Sequence, residues 1–349
     1  VTRRLCFAAV IAAVCVFSFL GGAAWAQPVA FDDDDTIEEI REKIRINGYN
    51  FTVAENHISR LPPAERAKYT SRRASTPPAN TVSAASVQAL PKTALPSSFD
   101  WRNHNGHAYI GPIKDQGGCG SCYAFGAAAA AEGTYNVAMG RYDANAADFS
   151  ESFIAWCLGE YGPYSDHFAG CSGADYDYAE LLALTVQGVT WEANFPYTGA
   201  DPGSCTHWGD PAVKFKTWGR CGCNDTDAIK TAIMTYGVVD VAVYVDVDLP
   251  FFAYESGVYQ DTLTDCPGTP CSYTTTNHAV ALVGWDDNGD AVNNGYWILR
   301  NSWGSSWGEG GYMRIKYTSA RVGCSVAYLV YEKPSTAPPA VGLLLGEDE

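Results

Sequence analysis

A cysteine that follows a glutamine and a pair of glycines, with a histidine and an asparagine far downstream, is a set of side chains able to transfer an acyl group. In Gln116-Gly-Gly-Cys119-Gly-Ser-Cys122-Tyr-Ala-Phe125 the second cysteine stands before a run of helix formers, Ala124 to Glu132. Cys122 therefore falls in the first turn of a predicted helix, where unpaired N–H groups and the positive end of the dipole favour an anion. A thiol placed there ionises more readily, and the thiolate is the nucleophile. Such a sulfur also needs a proton donor for the leaving group and a holder for the developing oxyanion. His278 in Asn277-His-Ala-Val280 is the candidate acid and base, and Asn301 in Arg300-Asn-Ser-Trp-Gly304 is the candidate that orients its imidazole. Gln116 would donate its side-chain amide to the oxyanion beside the Cys122 N–H, with Gly117, Gly118 and Gly120 allowing the tight turn between them. Five other histidines compete: His57, His104, His107, His167 and His207. His278 is preferred because a hydrophobic strand follows it and Asn301 lies downstream.

The elements that must position these groups change character along the chain. The first half reads as helical at Cys122 to Met139, Ser150 to Ala155 and Asp177 to Thr185. The second reads as strands at Val238 to Val245, His278 to Trp285, Gly295 to Arg300 and Gly311 to Tyr317. Helices first and strands later predict an α+β chain with two lobes. Ahead of this domain, Thr36 to Ile46 is charged and apolar in helical rhythm, with Ile37, Ile40 and Ile44 on one side, and a short helix is predicted over Ala64 to Tyr69. Residues 70–95 are rich in Ser, Thr, Ala and Pro and read as a linker.

The division that results is a secretory signal over residues 1–26, a pro-segment with its linker over 27–94, the main domain over 95–333 and a loose tail over 334–349. The signal reading rests on Arg3 and Arg4, the apolar run Leu5 to Leu20 and the small-x-small site Ala24-Trp-Ala26. It predicts a secreted, periplasmic or extracellular protein, or one in a lysosome-like compartment if the source is eukaryotic, without a stable membrane anchor. A net charge of -16 argues against nucleic-acid binding. Of twelve cysteines, Cys6 and Cys15 lie in the signal. If Cys122 stays a thiol, an odd number remain, so at least one more thiol or an intermolecular bond is required. The Cys221-Gly-Cys223 pair can bind metal or bond to separate partners, but no complementary His/Cys cluster accompanies it, so no metal and no cofactor is expected.

Cys119-Gly-Ser-Cys122-Tyr123 resembles the local pattern around the nucleophile of the papain family of cysteine peptidases. The resemblance extends over about residues 95 to 333. It includes Leu95-Pro96 with Phe99-Asp-Trp-Arg102, Cys171-Ser-Gly173, Asn194-Phe-Pro-Tyr197, Asn277-His-Ala-Val280, and Asn301-Ser-Trp-Gly304 with Trp307-Gly308. It implies a two-lobed fold, with the nucleophile helix in a helical first lobe, a β-barrel-like second lobe and the active-site cleft between them. It also implies disulfides Cys119–Cys171 and Cys157–Cys205, and Cys324 bonded to Cys266 or Cys271. Trp303 and Trp307 would shield the His278–Asn301 hydrogen bond from water. Candidate substrate-binding residues are Gly173, Ala174, Asp175, Tyr176, Asn277, Ala279 and Trp303.

Two departures bear on specificity: Ala174 stands where many relatives carry a second glycine, and the stretch from Cys157 to Cys171, with Tyr161, Tyr164 and His167, is longer than usual. Asn50 to Asn56, followed by Leu61-Pro62, is similar to the short pro-segments of cathepsin B-like enzymes and is expected to lie along the cleft and block Cys122 until the linker is cut. The function so implied is a monomeric endopeptidase acting on peptides or proteins, with its own pro-segment as inhibitor. The competing readings are a catalytically silent binding protein on the same fold and a transglutaminase-type acyltransferase.

Overall fold

The computed structural model describes residues 27–334, apart from 33, 71–93, 161–166, 169, 175–178, 207–211, 246–248, 267–275 and 290–293. The predicted signal, nearly all of the linker and nearly all of the tail lie outside the described residues, as do Tyr161, Tyr164, Asp175, Tyr176, His207 and Cys271.

The N-terminal segment begins with α1 (Ile37–Asn47), which starts at a full capping box between Thr36 and Glu39 and stops at Gly48, whose φ of 66° suits the left-handed cap. Strand β1 (Asn50–Val53) and α2 (Pro63–Arg66) follow, the latter running into a 3-10 turn over Ala67–Thr70. The short strand β2 (Ser98–Asp100) opens the main domain, and the first lobe holds the long helix α3 (Cys122–Met139), a π-helical stretch Phe153–Cys157 leading into α4 (Leu158–Glu160), and α5 (Ala179–Val186). The second lobe adds β3 (Thr217–Arg220), α6 (Thr226–Tyr236), β4 (Val239–Val243), α7 (Leu249–Phe252), β5 (Tyr254–Tyr259), β6 (His278–Asp286), β7 (Tyr296–Arg300), β8 (Tyr312–Lys316) and β9 (Ser325–Val330).

These strands form one sheet ordered β1-β5-β8-β7-β6-β4-β9-β3, with β2 pairing β6 off that path. The path is open: β1 and β3 are its ends. The near-continuous apolar runs of β4 and β6 fit strands covered on both faces, since β4 is buried throughout and β6 is buried up to its last residue. Trp285, Trp297, Leu282, Leu299 and Val241 build the second-lobe core. Phe149, Phe153, Leu181 and Leu184 build that of the first lobe. Each fully buried large side chain contributes roughly 1.5–3 kcal/mol.

Helix α3 lies between the two cores and is buried without a break from Cys122 to Asn136. Alanine supplies the helix propensity, and two glycines supply the fit. A Cβ on Gly126 would stand 2.3 Å from Asp240 Oδ1 and 3.4 Å from the Ala279 Cβ, and one on Gly133 would stand 2.2 Å from the Val238 Cγ2. Residues 122, 126 and 133 share one helix face, because positions four and seven apart lie in line. The face of α3 that presses on β4 and β6 is therefore the face that carries Cys122.

The N-terminal segment joins the second lobe as part of its sheet. Strand β1 pairs antiparallel with β5, Asn50 opposite Val258 and Phe51 opposite Gly257. Sequence reading places Asn50 to Asn56 along the cleft; Asn50–Val53 instead extend the sheet edge. The alternation of exposed Asn50 and Thr52 with buried Phe51 and Val53 is that of an edge strand with one covered face. It is α2 and the turn after it, residues 63–70, that reach the seam between the lobes.

Candidate active site

The hydrogen-bond register of the sheet brings two distant sequence motifs together. Strands β6 and β7 run antiparallel with Ala281 opposite Arg300, so the start of β6 lies beside the end of β7. His278 opens β6 and Asn301 follows β7 directly, which puts Nε2 of His278 2.9 Å from Oδ1 of Asn301. The same Asn301 oxygen accepts the Ser302 backbone N–H at 2.8 Å. An amide oxygen only accepts, so Nε2 must carry the imidazole proton and Nδ1 its lone pair. Nδ1 is buried and has no hydrogen-bond partner. Trp303 stacks on the His278 ring at 4.7 Å between centroids and is itself wrapped by Phe252 and Trp307. Both His278 and Trp303 are wholly buried. Burial pulls the His278 pKa down to about 4, partly opposed by the Asn301 hydrogen bond, so the ring is neutral at neutral pH.

The other half of the site belongs to the first lobe. Cys122 is the first residue of α3, is fully buried and forms no disulfide. Gln116 is fixed from three sides. Its N–H donates to the Ser302 carbonyl at 2.9 Å, its Oε1 accepts the Ser302 hydroxyl at 2.7 Å, and its Nε2 donates to the Cys119 carbonyl at 2.9 Å. The Ser302 bond decides which end of the amide is nitrogen. Nε2 also donates to the carbonyl of Tyr69, in the N-terminal segment, at 3.2 Å. The Tyr69 ring meets Trp303 edge-on at 6.2 Å.

Residues 95–332 match the pattern described as papain family cysteine protease. The chain belongs to the papain family of cysteine proteases. It is 35% identical over 224 residues to Cysteine proteinase 1 of Entamoeba histolytica, covering 63% of each chain. It is 31% identical over 281 residues to a cathepsin L-like protein of Caenorhabditis elegans, covering 80% of this chain and 76% of the relative. For most of the curated relatives, including the amoebic proteinase at 63%, the matched stretch is under two thirds of their length. Among solved structures, procathepsin L2 from the larval midgut of Tenebrio molitor is similar at 25% identity and a TM-score of 0.67, with 84% of this chain and 88% of that one covered. The recombinant stem bromelain precursor is similar at 25% identity and a TM-score of 0.63, with 85% and 88% covered.

In this papain-family chain Cys119 and Cys171 are bonded with their Cα atoms 4.6 Å apart, and Cys157 is bonded to Cys205. Of the two partners left open for Cys324, the structure uses Cys266. Cys223 is disulfide-bonded too, whereas Cys221 is a buried thiol that burial pushes up to about 12. Of the thiol and the intermolecular bond that the cysteine count left open, the structure shows a thiol, Cys221, in a state that resists ionisation. Among the described residues no cluster of His, Cys, Asp and Glu could hold a metal ion, and no helix is long and apolar enough to cross a membrane.

The residues expected to line the cleft fall into different places. Gly173 takes a φ of 91°, open to glycine at no steric penalty, and Ala174 is fully buried in a bridge to Phe168. Ala279 is buried against α3 at Gly126. The Asn277 side chain clamps the Val245 backbone, accepting its N–H at 2.8 Å and donating to its carbonyl at 2.7 Å.

Sequence reading did not single out the charged groups that join the lobes behind the site. Glu132, midway along α3, accepts the Phe149 N–H at 2.9 Å and faces Arg300 at 3.7 Å. Lys114 stands 3.3 Å from Glu151 and also pairs with Asp148. Burial pushes Glu151 up to about 8, with Lys114 opposing and Glu132 adding to the rise. A lone glutamate in an alanine run was the available signal: only a buried partner makes such a residue tolerable there.

Proposed function

We propose that this chain is a secreted cysteine endopeptidase made as an inhibited precursor, with Cys122 as nucleophile, His278 as acid and base, Asn301 as orienting residue and Gln116 as oxyanion donor. The observation that carries the reading is the imidazole of His278. Its Nε2 is committed to Asn301, and its unshared Nδ1 lies at the start of the strand pair that the Cys122 face of α3 presses against.

In the reaction Nδ1 takes the Cys122 proton, and the thiolate attacks the carbonyl carbon of the scissile bond. The resulting oxyanion accepts hydrogen bonds from Gln116 Nε2 and the Cys122 N–H. The imidazolium then gives its proton to the leaving amine. Water, deprotonated by the same Nδ1, opens the thioester and regenerates the thiol. Trp303 and its aromatic surround keep water from the His278–Asn301 bond, which strengthens it.

Residues 27–70 are the pro-segment in this reading. The Tyr69 carbonyl takes the Gln116 amide that an oxyanion would use, and Cys122 has no exposed surface while the segment is docked. The substrates are peptides or proteins, contacted by Gly173, Ala174, Asp175, Tyr176, Asn277, Ala279 and Trp303, and the working form is a monomer. Cutting within residues 70–95 releases the inhibitor, and residues 1–26 direct export.

The test is irreversible labelling by a peptidyl epoxide. The full chain cleaved in the linker is expected to take up label at Cys122 and to hydrolyse a fluorogenic peptide. Cys122→Ala is expected to abolish both, and His278→Ala to lower hydrolysis by at least about a thousandfold. A cleaved chain that neither labels nor hydrolyses overturns the reading. An exported protein whose first residue is Gln27 supports the signal assignment.

A further inference from the structure

Tyr197 belongs to a motif that family resemblance singles out without giving it a task. Its backbone is unusually well held for a loop. The Phe195 carbonyl accepts the Ser150 hydroxyl, the Pro196 carbonyl accepts the Ser152 hydroxyl at 3.1 Å, and the Tyr197 N–H donates to Glu192 at 2.7 Å. Its ring meets Phe125 edge-on at 4.8 Å and lies 5.9 Å from Trp156. The phenol that this frame aims inward touches both ends of one loop. It donates to the Gln116 main-chain carbonyl at 2.9 Å, and it is 2.7 Å from the Ser121 hydroxyl.

A phenol has one proton, and Gln116 takes it, so Ser121 must donate to the phenolic oxygen. This explains why Ser121, at the N-cap of α3, makes no side-chain cap bond. A serine in that place ordinarily accepts from the helix backbone, and the substitution of that bond forgoes roughly 1 kcal/mol of helix stability. Here the hydroxyl is spent on Tyr197. Burial holds the phenol protonated, its pKa pushed up to about 12, so the donor persists across the physiological range.

We infer that Tyr197 is a positioning residue that sets the distance between the two oxyanion donors, the Gln116 side chain and the Cys122 N–H, by tying Gln116 and Ser121 to one rigid oxygen. The inference rests on the acyl-transfer reading of Cys122. The phenol is hydrogen-bonded to Gln116 and Ser121 and feels Cys122 through its charge, so its loss should impair the oxyanion site more than the sulfur. Donor placement is exacting, because a displacement of about 1 Å can lower a rate about a hundredfold.

The experiment uses the full chain cleaved in its linker, as wild type, Tyr197→Phe and Ser121→Ala. Tyr197→Phe keeps the ring against Phe125 and Trp156 and removes only the hydroxyl. The expected result is a fall in kcat of at least about tenfold with KM within about twofold, and an equal loss of affinity for a peptide aldehyde, whose oxygen occupies the oxyanion position once sulfur adds to its carbon. Epoxide labelling of Cys122 should stay within about twofold of wild type, and Ser121→Ala should shift kcat the same way by less. Unchanged kcat and aldehyde affinity in Tyr197→Phe overturn the inference. So does a loss spread equally over labelling, KM and kcat, or one that follows a lowered melting temperature, since either marks a purely structural role. If the wild-type chain itself fails to label, the acyl-transfer reading falls first and takes this inference with it.

Discussion

Glu132 and Arg300 face each other between the lobes with almost no exposure to water, and Lys114, Glu151, Gln116 and Ser302 continue the same polar seam. Ile40, Phe51, Val53 and Ile58 of the N-terminal segment are as well buried, yet they meet the second lobe through hydrocarbon and a strand ladder. The two interfaces differ in what separation would leave behind. Removing one partner inside the closed seam strands a charge where no water solvates it, whereas lifting the segment exposes apolar surface and amides that water can satisfy. On the proposed function the first interface is a permanent joint and the second a disposable one, and the contrast teaches that the two differ in the chemistry of the contact and not in its tightness.

The sharpest way to break this contrast is to remove one partner of the permanent joint. Glu132→Ala should destabilise the protein by about 4 kcal/mol, because Arg300 remains buried without its countercharge. Urea unfolding measures it, and a change under about 1 kcal/mol would show that the seam is better solvated than its burial indicates.

The matching change at the disposable joint is Phe51→Ala, which removes the ring that packs 5.0 Å from Tyr259. It should weaken docking by about 3 kcal/mol while leaving the rest of the fold intact. The readout is faster cleavage of the N-terminal segment by an added protease, with the melting of the cleaved domain unaltered.

Acid should act on the disposable joint. Burial holds His278 at about 4 in the closed form; if departure of the segment lets water reach the ring, its pKa rises towards the ordinary value of about 6.5 and the open form binds a proton that the closed form refuses. Stability of the closed form is complete above about pH 6.5 and falls as pH drops towards about 4, by an amount on the order of 3 kcal/mol. In a Cys122→Ala background, where no thiolate can intervene, protease sensitivity of the segment should rise through that window. A further His278→Gln change should remove this part of the dependence.

The smallest expected effect is Thr36→Ala, which deletes the capping box of α1 and should loosen the segment by about 1 kcal/mol. Circular dichroism of the full chain and the same cleavage assay would register it.

Residues whose neighbours in sequence are also their partners in space were readable in advance. The alanine run after Cys122 announces α3, and the apolar stretch after His278 announces β6, because period and propensity are local. That His278 and Asn301 meet follows from the antiparallel pairing of β6 with β7, which the two apolar runs do not state by themselves. Strand β1 was hidden for the opposite reason. Asn50 to Val53 is too short to declare itself and becomes a strand because β5 presents an edge. The pairing of Glu132 with Arg300, and of Tyr197 with two ends of a loop, depends on elements far apart in the chain, so no window of sequence contains it. The thiol of Cys221 likewise followed from parity alone, and parity does not say which cysteine is left over.

Strand β5 has β1 on one side and β8 on the other. When the segment departs, a rim of peptide groups that had been answered is suddenly soliciting partners, and a neighbouring copy can supply them as readily as water. In the proposed activation, release of the segment would therefore make the molecule adhesive at the moment it becomes competent. Activation in crowded storage would invite clumping, and activation after dilution would not.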